Sequence, residues 1–268
     1  MDGFDQLVRV MARLRAPDGC PWDGEQTHDS LRPYLLEEAY EALEAIDAQD
    51  WARLCDELGD VLLQVVFHAQ LAAERGDFDI DDVTAAIVTK LKRRHPHVFG
   101  DTTVSGSDEV IDRWEQLKRQ ETGYDRRASA LDGIPEALPA LQHAHKVQKR
   151  AARAGFDWDD IAGPRAKIDE ELGEVDEADA ATIEDEIGDL LFAIVNYARF
   201  RGVEPESALR RANARFAHRF RAVEQKLVEV KTYLRYQPQD ATLRREAEHL
   251  EEMYRGCWRR RGRLAFPG

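Results

Sequence analysis

Cysteine is scarce in this 268-residue chain: Cys20, Cys55 and Cys257 are the whole complement. The number is odd, the spacings are wide and no CxxC occurs, so neither a disulfide scaffold nor a zinc site is indicated. A reduced compartment is expected. Long apolar runs are missing as well. The stretch from Val61 to Phe67 is broken by Gln64 and falls far short of the roughly 20 residues a bilayer span needs. The opening MDGFDQLVRVMARLR has no uncharged apolar segment, so a cytoplasmic protein without a secretory leader or a membrane partner is expected. Positive charge is in deficit: 38 Lys and Arg against 52 Asp and Glu leave a net charge of −14. Nucleic-acid binders draw their affinity from neutralising phosphates, so no nucleic-acid partner is expected. An acidic surface suits a protein that gathers cations. Strand patterning is also absent, because no segment sustains period-two alternation between turn residues.

What the chain does have is helical periodicity. Phe4, Leu7, Val8, Met11 and Leu14 form an i, i+3, i+4, i+7 stripe. A loop rich in Pro and Gly follows from Ala16 to Asp23. Helices are then expected from Asp29 or Ser30 to about Asp47, from Trp51 to Arg75, from Ile80 to Arg94 ahead of Pro96, and from Val110 to Gln120. The segment 122–139 holds Gly123, Gly133, Pro135 and Pro139 and reads as a linker. A second helical set follows, at about Leu141 to Ala154, Pro164 to Ala178, Thr182 to Arg201, Pro205 to Lys231 and Ala241 to Arg260. The expected class is all-α, with helical domains at 1–121 and 140–268.

The two halves repeat one another. Gly19-Cys20-Pro21-Trp22-Asp23 returns as Gly155-Phe156-Asp157-Trp158-Asp159, and Glu37-Glu38-Ala39-Tyr40-Glu41 as Glu170-Glu171-Leu172-Gly173-Glu174. Asp56-Glu57-Leu58-Gly59-Asp60 returns as Asp185-Glu186-Ile187-Gly188-Asp189, and Lys90 with Arg94 as Arg215 with Arg219. The order is kept and the offset drifts slowly, as it does when loops change length while helices are retained.

The repeated unit is a carboxylate constellation. Glu38 and Glu41 are three apart and project from one helix face, as do Glu57 and Asp60 on the next helix. Two packed helices can aim all four into one space, as in bundles that hold metals. Their neighbours, among them Leu35, Leu36, Leu43, Leu58, Leu62 and Val65, are apolar, which places the charges at the edge of a buried stripe. Convergent carboxylates without a counter-charge are strongly unfavourable. A divalent cation resolves the repulsion, and an oxygen-only donor set points to Mg²⁺ or Mn²⁺.

EExxE followed by ExxD resembles the signature of the all-α NTP pyrophosphohydrolases. The strings Cys20-Pro21-Trp22-Asp23, Leu31-Arg32-Pro33-Tyr34-Leu35-Leu36-Glu37-Glu38, His95-Pro96-His97-Val98-Phe99-Gly100-Asp101 and Lys146-Val147-Gln148-Lys149-Arg150-Ala151-Ala152 resemble the MazG branch of that superfamily. The resemblance covers roughly residues 1–225. It implies two tandem MazG-like helical-bundle domains that dimerise into four-helix units. It also implies Mg²⁺-dependent hydrolysis of NTPs and dNTPs between the α and β phosphates, giving nucleoside monophosphate and pyrophosphate in broad nucleotide-pool house-cleaning.

On that footing Glu171, Glu174, Glu186 and Asp189 are the expected metal ligands and catalytic carboxylates of the second half. Glu38, Glu41, Glu57 and Asp60 are their first-half counterparts, and Glu37 and Glu170 are expected to orient water. Arg215 and Arg219, four apart on one helix face, could clamp phosphate, and Lys167, four before Glu171, would stand near the metal. Trp22 and Trp158 are equally readable as base-stacking or packing residues. The family's pattern of a Trp with a basic residue four later occurs as Trp114 and Lys118. Trp258 is the expected nucleotide-contacting Trp of the second half, although Gly262 follows it where a Lys belongs. His68, His95, His97, His143 and His145 have no nucleophile beside them in sequence. The second half is expected to carry most of the turnover, because Tyr34 stands where the first half would need a match for Lys167. The alternatives are a narrower dUTP or phosphoribosyl-ATP pyrophosphatase, and a non-catalytic metal-binding scaffold.

Overall fold

The computed structural model describes residues 3–100, 102, 106, 110 and 129–256. These are helical, with no strand among the described residues, and the chain divides into two compact units, 1–126 and 127–268. The expected helix from Val110 to Gln120, with Trp114 and Lys118, lies outside the described residues apart from Val110. So do Trp258 and the end of the last helix.

The first unit contains α1 (Gly3–Leu14), α2 (Pro21–Glu25), α3 (Arg32–Ala48), α4 (Trp51–Arg75), α5 (Ile80–Arg94) and α6 (Pro96–Phe99). Its core forms where the α1 stripe meets α4: Met11, Leu31, Val66, Phe67 and Leu71 are buried, with Phe4, Leu7, Val8 and Leu14 packed around them. Helix α4 starts at Asp50, whose side chain accepts the Arg53 N–H, and ends at Gly76, whose φ of 74° closes the last turn in the left-handed region. Helix α5 begins with a reciprocal capping box between Asp79 and Asp82.

Two expectations shift here. Helix α3 begins at Arg32 rather than at Asp29 or Ser30, because Ser30 and Thr27 exchange backbone-to-hydroxyl hydrogen bonds of 2.9 and 3.1 Å and so form a turn instead of a cap. The expected loop from Ala16 to Asp23 contains the start of α2, with Pro21 in its first turn, where the missing N–H costs nothing. Arg15 ties this segment to α4 through a bidentate pair with Glu74, at 2.8 and 2.7 Å.

The second unit contains α7 (Ala140–Arg153), α8 (Ala162–Glu177), α9 (Ile183–Phe200), α10 (Pro205–Tyr236) and α11 (Ala241–Gly256). An Asp179 turn, whose side chain accepts from Ala181 and Thr182, joins α8 to α9 as a hairpin. Helix α7 packs on α9, where buried Gln148 donates to the Phe192 carbonyl at 2.8 Å. Helix α10 runs beyond the expected Lys231 to Tyr236, because it pairs with α11 around Val230, Ala247 and Leu250.

Candidate active site

In the first unit the α3–α4 hairpin brings Glu38, Glu41 and Glu57 together, with one oxygen from each within 4.8 Å of the others. Burial, and then the charge of Asp60, raises Glu38 above the ordinary glutamate range, while the Glu57 carboxylate raises Glu41. Asp60 thus acts on the group through its charge but is exposed and outside the three-oxygen set. Glu37, exposed, adds to the repulsion.

The counter-charge comes from Arg53, one helical turn before Glu57. Its Nε donates to Glu57 Oε1 at 2.9 Å and its Nη2 reaches Glu44 at 3.4 Å. Matching the halves position by position pointed to Tyr34 and a missing positive charge. Arg53 supplies that charge from the neighbouring helix, and its i, i+4 spacing to Glu57 was the available signal.

In the second unit the α8–α9 hairpin gathers Glu171, Glu174 and Glu186 in the same way, again with oxygens within 4.8 Å. Asp189 lies exposed on α9, outside the set. Lys167 Nζ pairs with Glu171 Oε1 at 2.6 Å and Glu170 Oε1 at 2.8 Å. These hydrogen bonds, Glu170's first, hold its ammonium well above the ordinary lysine range. The Glu171 carboxyl beside it raises Glu174.

Glu171 itself is 4% exposed, and its Oε2 has no hydrogen-bond partner. A buried carboxylate oxygen in that condition is costly unless a cation or donor reaches it. Opposed oxygens around an octahedral Mg²⁺ are about 4 Å apart, twice a bond length of about 2.1 Å. An oxygen-only set gathered this closely, with one buried oxygen unpartnered, is the donor chemistry a hard divalent cation takes.

The remaining expected residues are placed differently. Arg215 and Arg219 are exposed on α10, which packs chiefly on α11 and α7. Lys90 and Arg94 lie near the end of α5. Trp22 meets Tyr34 edge-on at 6.1 Å between ring centroids. Trp158 lies against the Gly163 backbone so closely that any Cβ there would collide with its ring, so both tryptophans have packing contacts. His68 pairs with His28, Nδ1 to Nδ1 at 2.8 Å, not with a carboxylate.

The apolar stripe beside each acidic group is not covered by the described residues. Leu58, Leu62 and Val65 on α4 are exposed, and so are Ile187, Leu191 and Ile194 in the same i, i+4, i+7 register on α9; Leu58 is 53% and Leu191 48% accessible. The expected burial of this stripe is thus not met among the described residues.

Comparison with known proteins adds the following. The MazG nucleotide pyrophosphohydrolase domain matches residues 26–99, within the first unit. The nucleoside triphosphate pyrophosphohydrolase of Escherichia coli (strain K12) is 51% identical over 231 residues, covering 84% of this chain and 88% of that protein. The nucleoside triphosphate pyrophosphohydrolase/pyrophosphatase MazG of Thermotoga maritima is 51% identical over 223 residues, 83% of this chain and 86% of that protein. A nucleoside triphosphate pyrophosphohydrolase of Mycolicibacterium smegmatis is 47% identical over 151 residues, 56% of this chain and 46% of that protein.

Proposed function

This chain belongs to the MazG family of nucleotide pyrophosphohydrolases, and from that premise we propose that it hydrolyses NTPs and dNTPs to nucleoside monophosphate and pyrophosphate, using Mg²⁺ held in the second unit. The observation that carries the assignment is the buried, unpartnered Oε2 of Glu171 between Glu174 and Glu186. Those three carboxylates are the holding residues, with Asp189 one turn along α9 as a further oxygen donor.

Bound there, Mg²⁺ supplies charge neutralisation between carboxylates and phosphates, a water of lowered pKa and stabilisation of the in-line transition state. The protein's own groups do the rest. Lys167 keeps Glu170 and Glu171 oriented, and its protonated ammonium is a positive charge open to a polyphosphate. Glu170 orients water. Arg215 and Arg219 offer guanidinium forks to the phosphate tail, and Trp258 contacts the nucleotide. The first-unit set of Glu38, Glu41, Glu57 and Asp60 binds metal with less turnover.

The exposed stripes on α4 and α9 support a homodimer, since contiguous apolar surface of this kind marks an interface. Light scattering is expected to give twice the 30.6 kDa chain mass; a single-chain mass over a wide concentration range contradicts it. The reaction is tested by separating the products from the common ribo- and deoxynucleoside triphosphates, with and without EDTA. Monophosphate and pyrophosphate from several bases are expected. Diphosphate and orthophosphate as primary products contradict the assignment, and turnover of a single base narrows it.

A further inference from the structure

The second unit carries another concave site, remote from the carboxylates in its chemistry. His145, Lys149 and Arg153 are spaced four apart and form one stripe along α7. Opposite them stand Arg199, near the end of α9, and the connection through Gly202, Val203 and Glu204 into α10. Together they line a cavity of about 510 Å³, within the range of small-molecule sites.

The lining is cationic in a chain of net charge −14. Arg199 is rigidly held: Nε and Nη2 donate to Asn196 Oδ1 at 3.0 and 2.8 Å, both terminal nitrogens reach Asp157, and the guanidinium lies over the Phe200 ring at 4.6 Å. The one carboxylate in the lining, Glu204, is committed to capping α10, accepting the Glu206 and Ser207 N–H groups at 3.2 and 2.7 Å. Burial, with the charges of Lys149 and Arg199 adding to it, holds His145 below the ordinary histidine range. Lys149 also falls in the Lys146–Ala152 string, to which the carboxylate chemistry gives no task. Arg150 of that string is turned away, donating to the carbonyls of Ala130, Leu131, Asp132 and Gly133.

We propose that this cavity binds a phosphate-bearing small molecule of about nucleotide size, with Lys149, Arg153 and Arg199 contacting the phosphates and His145 a neighbouring polar group. A preset guanidinium facing two cations on one wall matches a compact polyanion.

The test is calorimetric titration of the full-length protein in EDTA at low ionic strength, with inorganic pyrophosphate in one arm and AMP in the other. Without a divalent cation the carboxylate groups repel phosphate, which weakens binding at the proposed reaction site, and the cavity's share is read from the cavity variants. Saturable binding of at least one probe is expected. It should weaken about tenfold or more in Lys149→Gln/Arg153→Gln and persist in Lys149→Arg. Pyrophosphate without AMP would assign the site to the phosphates alone; AMP binding as well would bring the nucleoside into it. No saturable binding of either probe, or equal binding by the double variant with an unaltered circular dichroism spectrum, overturns the proposal.

Discussion

The acidic groups of the two units share a scaffold and differ in how they are neutralised. Each gathers three glutamate oxygens within the same span on a helical hairpin. In the first, the cation is Arg53 on the second helix, whose fork is divided between Glu57 and Glu44. In the second it is Lys167 on the first helix, serving Glu170 and Glu171. A guanidinium spread over two helices is a structural tie. An ammonium on a flexible stem is a point charge that can turn from carboxylate to phosphate. Burial separates the groups further: the Glu171 side chain is 5% accessible with one oxygen unpartnered, against 12% for Glu57. Duplication of the carboxylates therefore does not make the sites equivalent, and this difference in counter-charge supports the proposal that turnover belongs to the second.

The most severe way to break this comparison is to remove the metal. Chelation is expected to lower turnover by about 10³-fold or more, since several kcal/mol of charge stabilisation is lost, with recovery on added Mg²⁺. Full activity in EDTA would put neither acidic group at the reaction. Exchanging the cations sharpens the contrast at the next level. Lys167→Ala is expected to reduce kcat about 10²-fold, whereas Arg53→Ala should change it by no more than about threefold and mainly loosen the α3–α4 hairpin. Equal effects in steady-state kinetics would erase the distinction between point charge and tie.

A smaller effect is expected with pH. Glu38, Glu41 and Glu174 have folded values above the ordinary glutamate range, so protons compete with metal in a window above that range. Metal affinity, followed by calorimetry, should fall as pH decreases through that window. The metal-free folded state holds more protons than the unfolded one there, so its stability falls as pH rises through the window. Saturating Mg²⁺ should flatten that slope. A pH-independent affinity down to the ordinary carboxylate range would remove the electrostatic basis of both sites.

Much of this organisation was legible in the sequence because it is local. Asp50 and Gly76 mark the ends of α4, and the three-residue spacing of Glu38 with Glu41 and of Glu171 with Glu174 declares a shared helix face. Short helices were harder to read: α2 and α6 both start at a proline, which resembles a loop in composition. The start of α3 falls after Ser30 because Ser30 and Thr27 bond each other in a turn, a local choice that composition does not reveal. Arg53 escaped because a counter-charge is set by contact between helices, not by its position in a repeat. The apolar character of Leu58, Leu62 and Val65 was plain, but an apolar residue does not say what covers it.

The most direct test is the pair Glu174→Ala and Glu41→Ala, each made alone, checked for helicity by circular dichroism and assayed for pyrophosphate release with saturating Mg²⁺. Loss of nearly all turnover in Glu174→Ala, with most retained in Glu41→Ala, is the predicted result. Abolition by Glu41→Ala with near-normal turnover in Glu174→Ala would contradict it and make the first unit the enzyme.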